Sequence, residues 1–187
     1  MDTKDALRES AGLMIRRGGF NAMSFADLAQ QVGIRTASVH YHYPTKRDLG
    51  VDVMLRYHEA FFETLDRQTS RVEAAPRRLK AYGALFERAL LEGGGLCLGG
   101  MFATELPGLD PALKAPVERF FTANVEWISR ELLRGKDRGE LTLPRPARQI
   151  AASLFSAVQG AMIVARTLEN PKHIREATAF FLAALRP

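Results

Sequence analysis

The chain has 187 residues, 47% hydrophobic and 25% charged, an ordinary balance for a soluble protein and enough length to bury one large or two small cores. A formal net charge of +5 favours an anionic partner, although Lys and Arg are spread along the chain rather than gathered in a tail, and a single cysteine excludes an intramolecular disulfide or a cysteine-built zinc site. No apolar run of about eighteen residues suited to spanning a bilayer stands out, and MDTKDALRES carries no apolar signal core, so a cytoplasmic protein with no membrane partner is expected.

A first helix is expected from about Thr3 to Arg17, with Ala6, Leu7, Leu13, Met14 and Phe20 near the core and Gly18-Gly19 ending it. Phe25, Leu28, Ala29 and Val32 then fall at i, i+3, i+4 and i+7, one apolar face of a short helix capped by Ser24. Gly33 follows where a chain leaving a helix commonly needs positive φ, and Ile34 plugs the turn. A second short helix, Thr36 to Tyr43, cannot run past Pro44. Two short helices joined by a glycine turn have the layout of a helix-turn-helix that reads DNA.

On the second of these helices Thr36, Ser38, Tyr41 and His42 are hydrogen-bonding groups suited to base edges and phosphates, while Val39 and Tyr43 are its inward anchors. Thr45 caps the next helix, and Lys46 places a cation at its positive end, a cost of a few tenths of a kcal/mol unless an anion such as phosphate is shared there. That helix is expected to reach about Val72, long enough to leave the head and act as a mechanical link to a second domain.

A further helix is expected from Ala74-Ala75-Pro76 to about Glu92. The five glycines between Gly93 and Gly100 read as a flexible connection or a pocket edge, and no Gly-Lys-Ser/Thr follows to make a phosphate loop. Met101–Leu106 forms a short helix stopped by Pro107, and a long one runs from about Pro111 to Lys136. The last two, about Ala147–Glu169 and Pro171–Leu185, are apolar on more than one side, which calls for cover on more than one side. A second copy would supply it as a two-fold four-helix bundle.

With Gly19-Phe20, Ser24, Leu28-Ala29, Gly33-Ile34, Tyr43, Pro44-Thr45-Lys46 and Leu49 in place, the segment resembles the DNA-binding domain of the TetR/AcrR family of one-component regulators. The resemblance covers the first quarter to third of the chain and implies an all-α fold of about nine helices. That fold comprises a helix-turn-helix head, residues 1–48, and a ligand-binding and dimerisation domain, residues 49–187. It also implies pairing through the last two helices. Arg35 stands where the family commonly has a capping Ser, so either Thr36 caps the recognition helix one residue later or Arg35 faces a phosphate. His40 replaces a Tyr that usually packs inward, which leaves Tyr41 as the exposed reader.

Thr36, Ala37, Ser38 and Tyr41 are therefore assigned to bases or the groove, and Ser24, Arg35, His42 and Lys46 to phosphates. Phe61, Phe62, Phe86, Met101, Phe102, Phe121, Trp127, Phe155 and Met162 are core by default and also the candidate lining of a ligand cavity. Cys97 is an inert small hydrophobe or, exposed by its glycine neighbours, a thiol open to oxidants and electrophiles. His40 and His42 point to different helix faces and make no metal pair. No nucleophile, base and acid fall at motif spacing, and no cofactor is expected. These readings combine into a repressor that binds double-stranded DNA at a palindromic operator until an unidentified small molecule releases it. A helical ligand carrier or an enzyme using the C-terminal cavity is the competing class, and activation instead of repression fits the same sequence.

Overall fold

The computed structural model describes residues 2–93 and 95–186. Among them the chain is all-helical, with nine α-helices: α1 (Thr3–Gly18), α2 (Phe25–Val32), α3 (Thr36–His42), α4 (Lys46–Thr69), α5 (Ala75–Gly93), α6 (Leu98–Glu105), α7 (Lys114–Asp137), α8 (Ala147–Thr167) and α9 (Lys172–Ala183). Short 3-10 turns at Leu106–Gly108 and Pro111–Leu113 separate α6 from α7. The described residues of 1–60 and 95–120 form one compact unit, and those of 61–94 and 121–187 another.

In the first unit α1 buries Leu7, Ala11 and Ile15, a stripe at i, i+4 and i+8. Leu13, expected in the core, lies off that stripe and is 41% exposed. Helix α2 begins on a reciprocal capping box: the Asp27 N–H donates to Ser24 Oγ and the Ser24 N–H to Asp27 Oδ2. It ends at Gly33, φ 77°, where the Gly33 N–H donates to the Gln30 carbonyl and the Ile34 N–H to that of Ala29, the paired bonds of a Schellman motif. Thr45 and Asp48 repeat the capping box at the start of α4, which buries Leu49, Val53 and Met54.

The glycine-rich segment differs from the expected flexible connection. Gly99 and Gly100 lie inside α6, and Gly95 is buried so closely on α1 that a Cβ there would come within 2.6 Å of Arg16 Cβ. The Leu96 N–H donates to the Arg16 carbonyl, and the Arg16 guanidinium donates back to the carbonyls of Leu96 and Gly95. Missing side chains here permit close backbone approach instead of looseness. Gly94 lies outside the described residues.

In the second unit α5, α8 and α9 pack on one another. Tyr82 is wholly buried, stacks on Trp127 at 5.5 Å between centroids, and donates to Asn124 Oδ1 at 2.8 Å. Arg78 makes a two-pronged ion pair with Glu131, at 2.6 and 2.9 Å, and also donates to the carbonyls of Thr69, the last residue of α4, and Val72. Helix α8 corrects the expectation that no apolar run stands out: an 18-residue window has a mean hydropathy of 1.3. Yet 44% of that window is buried inside the fold, as in a core helix of a bundle.

Because the Arg78–Glu131 pair is largely shielded from water, removing one partner strands a charge. Glu131→Ala should lower unfolding free energy by about 3 kcal/mol, read as a shift of the urea midpoint with an unchanged slope. A loss no larger than that of an exposed ion pair such as Lys114–Glu118 would contradict this.

Candidate nucleic-acid interface

Helix α3 has seven residues, and neither capping side chain nor length holds it in place. Its inward side does. Val39 is wholly buried, and Tyr43, at the helix C-cap, is buried and donates its hydroxyl to Asp52 Oδ2 on α4 at 2.6 Å. Asp52 also pairs with Arg8 at 3.6 Å and Lys4 at 3.8 Å, and Lys4 lies 5.5 Å from the centre of the Tyr43 ring. Arg8 in turn bonds Asp5. Burial, and then the bond to Asp52, push the Tyr43 hydroxyl well above the ordinary tyrosine range, so it stays a donor at any physiological pH.

With Val39 and Tyr43 inward, Thr36, Ala37, His40 and Tyr41 face out. Tyr41 is 84% exposed, touching the edge of the half-buried His42 ring at 5.2 Å. His40 sets its ring edge-on to Phe25 at 4.9 Å, so it is exposed yet braces α3 against α2. Arg35 itself is the N-cap of α3 and makes no side-chain capping bond; its carbonyl accepts the Ser38 N–H. A shallow groove of about 470 Å³ runs beside this surface, lined by Thr3, Ile34, Arg35, Ala37, Ser38, Tyr41 and His42. Ser24 sits exposed at the α2 cap. Seven of the eight residues assigned to DNA thus lie on α2's cap, at the groove or on α3's outer face.

Lys46 differs in its surroundings. Its ammonium donates to the Asn21 carbonyl at 3.2 Å and lies 4.7 Å from the centre of the Phe20 ring, and burial lowers its pKa against the opposing pull of Glu105. Protein groups already offset the helix-end cost that phosphate was expected to relieve. Glu105, which the sequence did not single out, closes the same corner: its carboxylate accepts the N–H groups of Phe20 and Asn21 at 3.1 and 2.8 Å. Gly19 makes room for it, with φ 97° and no space for a Cβ, which would stand 2.1 Å from Glu105 Oε1. A glycine pair ending a helix was the visible signal; Glu105, 85 residues on from Phe20, was not.

The candidate ligand residues divide. Phe61 contacts Phe62 and Phe86 in an aromatic cluster that Tyr82 joins to Trp127, and Phe121 meets Phe155 edge-on at 5.2 Å. Met162 is buried on α8, all within the second unit. Met101 and Phe102 belong to the first unit, where Phe102 packs on Phe20 at 5.1 Å. Cys97 is buried, as the small-hydrophobe reading has it and not the exposed one, and its sulfur accepts the Tyr57 hydroxyl at 3.7 Å. Among the described residues no three His, Cys, Asp or Glu side chains gather as a metal site.

Two family models match the chain: one described as bacterial regulatory proteins, tetR family, over residues 6–52, and one described as tetracyclin repressor-like, C-terminal domain, over residues 70–181. Among solved structures, a TetR-family transcriptional regulator from Agrobacterium tumefaciens is 29% identical with a TM-score of 0.94, covering 98% of this chain and 97% of that one. A TetR transcriptional regulator from Legionella pneumophila is 26% identical with a TM-score of 0.90, covering 100% and 98%. Regulatory protein TetR from Rhodobacter sphaeroides, at 17% identity and a TM-score of 0.89 over 97% of each chain, shows the same fold. No curated protein matches the sequence. The chain belongs to the TetR family of bacterial transcriptional regulators, DNA-binding proteins, and α2 and α3 are its helix-turn-helix.

Proposed function

We propose that the protein is a homodimeric repressor of a palindromic operator, with residues 1–48 as the DNA-binding head and residues 49–187 as the ligand-binding and dimerisation domain. The observation that carries this reading is the outward face of α3, where Tyr41 stands almost fully exposed on a helix held rigidly from behind. In the major groove Thr36, Ala37, Ser38 and Tyr41 contact bases, while Ser24, Arg35, His42 and Lys46 contact phosphates. One small head covers little DNA, so two heads on a common scaffold sum their contacts at half-sites about 34–36 Å apart or a multiple of that. The scaffold is α8 and α9 of two copies, a reading supported by the apolar side chains those helices leave in solvent: Ile163, Val164, Leu168 and Phe180, the last 83% exposed.

Release follows when a small molecule in the C-terminal domain favours a conformer whose heads are spaced wrongly for the operator. Glu105 offers a handle, because a shift of α6 is passed directly to the turn between α1 and α2. A preference of about 100-fold for the released conformer corresponds to about 2.7 kcal/mol of coupling.

Titration of labelled DNA from the gene's own upstream region, over a range of salt, tests the contacts. Lys46→Ala should weaken every sequence alike and flatten the salt slope by about one unit, whereas Tyr41→Ala should change which bases are preferred; uniform loss for both would reject the assignment. Phe180→Asp should convert a dimer to a monomer in sedimentation velocity and abolish tight operator binding with the helical content unchanged. Tyr43→Phe should cost about 1–2 kcal/mol of stability at neutral pH. Since the raised Tyr43 pKa favours the folded state below the unfolded tyrosine pKa of about 10 and that advantage fades above it, the gap between variant and wild type should narrow in alkali; a constant gap would show that the hydroxyl is not the cause.

A further inference from the structure

The first unit carries a cleft of about 400 Å³ that the DNA-reading surface does not use, set between α1, α4 and the start of α6. Its floor is apolar, from Leu13, Val53 and Leu98; its rim bears Glu9 together with Arg8, paired with Asp5 and Asp52, Arg16, bonded to the Leu96 and Gly95 carbonyls, and Arg56, paired with Glu59. Leu13 is the core residue that failed to be buried; its exposed side chain is part of this wall. Gly12 lies at the cleft in mid-helix, where glycine weakens an α-helix relative to alanine. Nothing local requires it: a Cβ there would sit 3.7 Å from Val53 Cγ1, an ordinary contact, and φ is not in the left-handed region. At this position the wall of the cleft is backbone, with no side chain on it.

From this combination we infer that the cleft is an effector site for an apolar monocarboxylate, the chain lying on Leu13, Val53 and Leu98 and the carboxylate at the arginine rim. A greasy floor excludes a compact hydrophilic anion, and Glu9 on the rim disfavours a polyanion. Arg56, half exposed and paired with Glu59 at 3.5 Å, meets the ligand carboxylate by exchanging that surface pair for it. Arg8 connects the cleft to DNA reading, because it pairs with Asp52, which accepts the Tyr43 hydroxyl at the end of α3. The cleft takes residues from both sides of residue 48, and the inference does not depend on the repressor reading.

Calorimetric titration of the full chain with octanoate and, separately, 1-octanol tests the inference without DNA. Octanoate should bind saturably, one per chain at millimolar concentration or below, and octanol at least about tenfold more weakly. Arg56→Gln, a change at the surface, should weaken octanoate about tenfold and leave octanol unchanged. Gly12→Ala should keep octanoate binding and Gly12→Phe, which fills the cleft, should abolish it, with thermal unfolding reporting that each variant folds. No saturable octanoate binding, equal binding of acid and alcohol, or octanoate affinity unaffected by Arg56→Gln would overturn the proposal, and unaffected binding to a folded Gly12→Phe variant would move the site elsewhere. Because none of these readouts involves an operator, their failure leaves the repressor reading standing, and loss of operator binding leaves the cleft standing.

Discussion

A helix of seven residues has too few internal hydrogen bonds to persist alone in water, so whatever α3 presents to DNA depends on what grips it from behind. Two side chains one turn apart do this. Val39 supplies apolar burial, and Tyr43 adds a directed bond to Asp52 just where the helix stops. The grip is electrostatic as well as steric, since Asp52 also draws in Lys4 and Arg8 from α1, making one acidic group the meeting point of three elements. Burial keeps the Tyr43 hydroxyl protonated, so the anchor holds across the pH range in which a regulator works. The outward residues are positioned by this inward bookend, with His40 alone among them bracing α3, through its ring contact with Phe25 on α2.

The opposite corner of the head is held by close backbone approach. Gly19 takes a conformation that other residues avoid and clears a path for Glu105, whose two oxygens accept the N–H groups of Phe20 and Asn21 in the turn after α1. One layer further on, Gly95 lets the chain before α6 lie against Arg16, which ties the contact with reciprocal hydrogen bonds. At both junctions a missing glycine side chain lets a charged side chain bond directly to backbone groups. Lys46 belongs to the same corner, its ammonium held by the Asn21 carbonyl and the face of the Phe20 ring.

The second unit solves a different problem, how to bury polar groups inside a helical core. Arg78 and Glu131 satisfy each other, and the remaining guanidinium donor reaches the carbonyls of Thr69 and Val72. Tyr82 spends its hydroxyl on Asn124 and its ring on Trp127. The aromatic residues that composition alone suggests as a pocket lining are in large part engaged with one another here, as a packed core requires.

The amino-acid order by itself determined the helix boundaries around the reading motif, the turn at Gly33, the caps at Ser24 and Thr45 and the stop before Pro44, because each is a local signal written within four or five residues. It also determined that Val39 and Tyr43 face inward, a matter of helical phase. What lies across long sequence separations was decided only by the tertiary structure. The partnership of Gly19 with Glu105, the burial of Cys97, the exposure of Leu13 and the separation of Met101 and Phe102 from the other candidate ligand residues all depend on which distant surface each element meets. A glycine run reads the same whether its backbone moves freely or is pressed against a neighbour, and a leucine reads the same in a core or on the wall of a cleft. Periodicity assigns a residue to a face, and only packing decides what that face touches.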